Sequence, residues 1–137
     1  MDLSHKPVVV IDTNVWVTGL IFGCKPELII HLFIDGQINV VISEELVSEL
    51  RRKINQRFPL YLKNINLLEA AVRDQALVVP LGLVEVNISR DKDDNVVIET
   101  AIAGGADYII TGDKDLLVLK KYKNIKILKP SEFLENI

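Results

Sequence analysis

The stretch Val8-Val9-Val10-Ile11-Asp12-Thr13-Asn14 sets four apolar, mostly β-branched residues directly against an acid, a hydroxyl and an amide. No polar position recurs at helical spacing, so the run suits a strand buried on both faces of a parallel sheet. The break at Asp12 then marks the carboxyl end of that strand. In open α/β sheets this is the edge where ligands bind.

Outward from this strand, helices and strands alternate. Residues 15–22 are apolar and close at Gly23, which predicts a short helix, and Pro26 sits in the first turn of the next, which stops at Gly36. Residues 38–42 form a second buried strand. Ser43 is a favourable N-cap, with Glu44 and Glu45 in the first turn. Leu46, Val47, Leu50 and Ile54 then repeat at helical spacing over 44–56, before Phe58-Pro59 ends the helix. A helix is expected over 62–75, and extended chain over 77–80 and 84–88, either of which fits a strand of the main sheet. After a polar loop over 90–95 come a helix over 95–103 stopped by Gly104-Gly105, a strand over 107–111, a helix over 114–121, a strand over 125–128 and a closing helix over 130–135. The alternation predicts a three-layer α/β/α fold with a central parallel sheet, in one domain over 1–137.

Composition agrees with a globular chain: 137 residues, 49% apolar and 26% charged. A single cysteine, Cys24, excludes an internal disulfide. The polar start of the chain lacks a signal-peptide pattern and no apolar run approaches the roughly 18 residues of a membrane span, so no membrane association and a cytoplasmic location are expected. A net charge of −3 argues against a surface that is basic overall, but local basic patches decide contact with phosphates.

In right-handed βαβ units each helix starts at the edge where the preceding strand ends, so scattered acids can be placed together. Asp12 and Asp113 each end a strand. Asp94 opens the helix carrying Val97, Ile98 and Ala101, and Glu49 lies in the second turn of the helix after residue 42. Carboxylates gathered in one cleft repel unless neutralised. With no cysteine among them, and His5 and His31 elsewhere, the set suits Mg²⁺ or Mn²⁺ rather than zinc. Such a site most often serves phosphoryl chemistry. Asp12, Asp94 and Asp113 are the expected metal ligands, with Glu49 binding a second metal or orienting water.

Four pieces carry a resemblance that covers almost the whole chain: Val10-Ile11-Asp12-Thr13-Asn14, Ser43-Glu44-Glu45-Leu46-Val47-Ser48-Glu49-Leu50, Asp91-Lys92-Asp93-Asp94-Asn95 followed by Ala101, and Ala106-Asp107-Tyr108-Ile109-Ile110-Thr111-Gly112-Asp113-Lys114-Asp115-Leu116. In order and spacing they resemble the PIN-domain ribonucleases. The resemblance implies a PIN-like fold, a metal-dependent endoribonuclease with Asp12, Glu49, Asp94 and Asp113 as its acids, and small polar support from Thr13, Asn14 and Thr111. The subgroup it is most similar to is the toxin component of prokaryotic toxin–antitoxin pairs, which implies an RNA substrate, an antitoxin partner that blocks the cleft and, by analogy, a homodimer. Asp94 is preferred over Asp91 and Asp93 because its spacing to Ala101 fits the family pattern; Asp115 is a further candidate beside Asp113.

Each acid also has a plainer reading. Asp12 and Asp94 are favourable helix caps, Asp113 suits a turn beside Gly112, and Glu49 alone reads as a surface partner of Lys53 four residues on. Arg51, Arg52 and Arg57, near Glu49, are candidates for RNA phosphates, whereas Lys120, Lys121, Lys123, Lys126 and Lys129 read as solvated surface. Trp16 and Phe22 are expected in the core, and Cys24 either buried or incidental on the surface. Two other functions compete: a phosphohydrolase using Asp12 as nucleophile, disfavoured because Asn14 stands where such enzymes carry a second acid, and a receiver-like or nucleotide-binding module, which lacks paired acids and spaced glycines.

Overall fold

The computed structural model describes residues 6–82, 86–87 and 91–137. The expected extended run over 84–88 and the start of the polar loop at Arg90 fall largely outside the described residues, as does His5.

Strand β1 (Val8–Ile11) is central, with β2 (Asn39–Ser43) on one side and β4 (Tyr108–Ile110) on the other; β3 (Leu77–Val79) lies beyond β2, and β6 (Ile125–Leu128) and β5 (Lys121–Tyr122) beyond β4. All pairings are parallel except β5 with β6. The segment 77–79 thus supplies the strand beside β2. Val9 and Val10 are fully buried, as a strand covered on both faces requires.

Helices flank the sheet in three layers: α1 (Thr13–Ile21), α2 (Cys24–Ile34), α3 (Glu44–Arg57), α4 (Leu62–Gln75), α5 (Lys92–Ala103), α6 (Lys114–Leu117) and α7 (Pro130–Glu135). The core joins Trp16, Phe33, Ile42, Leu46, Ile54, Ile65, Ile98 and Phe133, all fully or almost fully buried. Trp16 meets Phe33 edge to face at 5.8 Å. No single helix among the described residues is long and apolar enough to cross a membrane.

Three expectations change. The helix expected over 114–121 ends at Leu117, because Lys120 takes a positive φ of 61° and Lys121 enters the antiparallel edge strand, with Lys120 O accepting from Ile127 N. Helix α5 begins at Lys92 rather than residue 95, since Asp91 caps it by accepting from Asp93 N at 2.9 Å. Phe22 is 65% exposed instead of buried: it lies one residue past α1, beyond its buried face, and packs edge-on against Phe58. Cys24 is on the surface.

Two close contacts hold the site-bearing helices in place. The Ser43 hydroxyl, which caps α3 by accepting from Leu46 N, lies 2.9 Å from the Thr100 hydroxyl on α5. Since Thr100 donates its only hydroxyl hydrogen to Val96 O, Ser43 is the donor in that buried pair. One turn beyond Thr100, at the C-cap of α5, a side chain on Gly104 would collide with Val41 of β2, so glycine is what allows the helix end to approach the sheet.

Candidate metal centre

The strand order reverses direction between β1 and β4: β2 and β3 follow β1 outward on one side, β4 and β6 on the other. Such a switch point opens a crevice at the carboxyl ends of the two central strands. Asp12 leaves β1 there, and Thr111 and Asp113 leave β4. The backbone stays paired across the crevice, Asp12 N donating to Ile110 O at 2.9 Å.

Thr111 joins the two exits. Fully buried, its hydroxyl donates to Asp12 Oδ2 at 2.7 Å and accepts from Asp113 N at 3.0 Å. Asp12 itself is only 7% exposed. Burial pushes its carboxyl above the usual aspartate range, opposed by the Thr111 hydrogen bond and the Lys53 charge and reinforced by Glu49. A buried acid whose hydrogen-bond donors, the Thr111 hydroxyl and the Thr13 backbone, are neutral gains from a nearby cation.

Beside this pair, carboxylate oxygens of Asp91, Asp94 and Asp113 all lie within 4.8 Å of one another. Asp91 and Asp94 stand three positions apart, as cap and first-turn residue of α5, a spacing that puts them on one helix face. Asp113 reaches the cluster from the cap of α6, where its Oδ1 also accepts from Asp115 N at 2.9 Å. The set fits a small divalent ion. All three donors are hard carboxylate oxygens, the ligand type that Mg²⁺ and Mn²⁺ take, and they come from two separate elements of the fold.

The structure therefore gathers Asp94 and Asp113 as the sequence places them, together with Asp91, one of the candidates left open. Asp12, an expected ligand, is not among the three clustered carboxylates; the Thr111 hydroxyl links it to the main-chain N–H of Asp113. Asp93 turns toward another group: its carboxyl is raised first by burial, then by Glu49 and Asp91, and it lines an open groove with Glu44, Glu45, Ser48, Glu49 and Arg52. Asp115 contributes its backbone N–H to Asp113.

Glu49 makes the ion pair with Lys53 that its spacing suggests, at 2.9 Å, but the pair is not on the open surface. Lys53 Nζ also donates to Thr13 Oγ1 at 2.7 Å and to Asn14 Oδ1 at 3.0 Å. Thr13 and Asn14, expected as polar support of the site, thus both meet Lys53, on the helix that carries Glu49. Sequence reasoning treats Lys53 only as a surface counter-ion; its position directly before the core residue Ile54 was the available signal that it lies near the buried face. Arg51 is engaged by Glu69 at 2.9 Å and Asn66 at 2.7 Å on α4, whereas Arg52 lines the groove beside Glu49 and Arg57 is exposed at the end of α3.

The family model for the PIN domain matches residues 8–115, a span that takes in every acid described above. The chain belongs to the PIN domain family. PIN domains are generally nucleases and generally use a divalent metal. Among solved structures, the PIN fold seen here is similar to the crystal structure of VapBC2 from Rickettsia felis bound to a DNA fragment from their promoter. The two share a TM-score of 0.58 at 15% identity, over 88% of this chain and 96% of that one. No curated protein sequence matches the chain.

Proposed function

We propose that this PIN domain is a Mg²⁺- or Mn²⁺-dependent endoribonuclease, the toxin of a prokaryotic toxin–antitoxin pair. The observation that carries the reading is the meeting of the Asp91, Asp94 and Asp113 carboxylates beside buried Asp12, at the switch point of a parallel sheet. Asp91, Asp94 and Asp113 would hold the metal, with Asp12 adjoining them. A bound divalent ion supplies Lewis-acid charge to the scissile phosphate and to an attacking water. The protein's own groups orient it. Thr111 fixes the Asp12 carboxylate, α5 and α6 present their capping acids to one point, and Glu49 stands beside the groove where a water would be oriented. Arg52, which lines that groove, would meet the phosphates of an RNA strand, with Arg57 at the end of α3 a further candidate.

The likeness to VapBC2 supports a protein partner, and the partner of this reading is a cognate antitoxin that would block the acidic cleft. A single domain over 1–137, a homodimer and a cytoplasmic site of action complete the proposal. The test is direct: the purified protein cuts RNA with Mg²⁺ or Mn²⁺ and stops on chelation, and inducing the wild type arrests growth while Asp12→Asn does not. Equal growth and identical RNA ends for both would overturn the reading. A phospho-aspartate trapped on Asp12 would replace it with nucleophilic phosphohydrolysis.

A further inference from the structure

Lys53 is bound as an ion would be. An ammonium has three N–H donors. Its three partners here are a carboxylate oxygen of Glu49 at 2.9 Å, the Thr13 hydroxyl at 2.7 Å and the Asn14 amide oxygen at 3.0 Å. That is a hard-oxygen set of the kind divalent cations take, closed at ordinary N–H···O lengths rather than at the roughly 2.1 Å of Mg²⁺. The Lys53 side chain is 17% exposed and that of Glu49 11%, so the stem crosses from α3 to the start of α1 and is held there. A solvated i, i+4 pair needs only one contact and stays open to water. This one ties two residues of the Asp12 turn to a neighbouring helix.

We infer that Lys53 is a built-in cation of the site: its tethered ammonium takes the place of a second metal ion, so that the cleft holds one divalent cation, on the side of Asp91, Asp94 and Asp113. The inference rests on the nuclease reading above and deepens it. In two-metal nucleases, paired cations clamp the attacking and leaving oxygens of the phosphodiester. Here one of those positive charges belongs to the chain. Glu49, Thr13 and Asn14 then serve to aim Lys53, and a second divalent ion reaches them only by evicting a like charge. The Lys53 charge also acts on Asp12 and Asp93, favouring the ionised form of each.

Manganese counted by electron paramagnetic resonance, together with the order of RNA cleavage in Mn²⁺ concentration, tests this on the full chain. The wild type is expected to bind one Mn²⁺ per chain and to cleave with first-order dependence on the metal. Lys53→Met, which keeps the stem and removes the charge, is expected to bind a second Mn²⁺ and to become second order, while Lys53→Arg stays at one. A count of two in the wild type, or a folded Lys53→Met with an unchanged count and order, overturns the inference. The wild-type count is decisive even where the variant does not fold. Two ions with RNA cleavage would leave the nuclease reading standing and remove only this step; no Mn²⁺ and no cleavage would remove both.

Discussion

Replacing Thr111 by Val keeps the shape of a fully buried side chain and deletes the one hydroxyl that links Asp12 to Asp113. A hydrogen bond to a charged group is worth about 1.5–3 kcal/mol, and one between neutral partners about 1 kcal/mol. Asp113 N is only part-buried and finds water, so most of the loss falls on Asp12. The cost depends on pH, and its sign follows from linkage. Burial raises the Asp12 carboxyl in the folded state above the ordinary aspartate range, so the folded chain holds that proton more tightly than the unfolded one. Stability from this group is therefore full below the unfolded pKa and is lost as pH rises through the folded one. The Thr111 hydrogen bond acts against that rise; without it the folded pKa climbs further and the high-pH loss deepens. Urea denaturation in the presence of a chelator should thus give Thr111→Val a deficit of about 2 kcal/mol near pH 8, shrinking to about 1 kcal/mol near pH 4. Thr111→Ser, which keeps the hydroxyl, should lose only methyl packing and show no such change with pH. An equal deficit for Thr111→Val at both pH values would refute the assignment of this hydroxyl to the Asp12 carboxylate.

Other consequences are open to measurement. Gly104→Ala drives a methyl into Val41 on a buried strand and should cost about 1–3 kcal/mol in chemical denaturation; a cost under about 0.5 kcal/mol would mean that α5 does not sit so close to β2. Arg51→Ala should lower stability by about 0.5–1 kcal/mol and leave RNA affinity alone, because Arg51 is held by Glu69 and Asn66. Arg52→Ala should do the reverse, weakening RNA binding and reducing the salt slope by about 1 unit, and an unchanged slope in a binding titration would exclude it from the phosphate path. Asp94→Asn, in place of a carboxylate that is 4% exposed, should weaken Mn²⁺ binding at least about tenfold by calorimetry while Asp115→Asn does not; equal affinities would separate the metal from this triad.

How much of this was legible beforehand differs from residue to residue. The run of buried residues before Asp12 and the helical spacing after Ser43 reflect local rules, period and capping, that act within a few residues of chain; strands, helices and the carboxyl-edge position of Asp12, Asp94 and Asp113 follow from them. Edges of elements were less secure where a single backbone conformation decides, as at Lys120, whose positive φ turns an expected helix into the hairpin of β5 and β6. Among the three aspartates around the start of α5, spacing to Ala101 picks out Asp94, but that Asp91 joins it while Asp93 does not depends on the position of Asp113, far along the chain.

The chain by itself determined the architecture, the edge where chemistry sits and the hard-oxygen character of the site, since these follow from hydrophobic period and residue type. Only the tertiary structure decided which oxygens converge and that Lys53, four residues from Glu49, is drawn inward to Thr13 and Asn14. Spacing fixes which side chains share a helix face. Where that face is aimed, and whether its charges meet water or one another, depends on packing against segments remote in sequence, and through burial that packing sets the strength of every electrostatic interaction in the cleft.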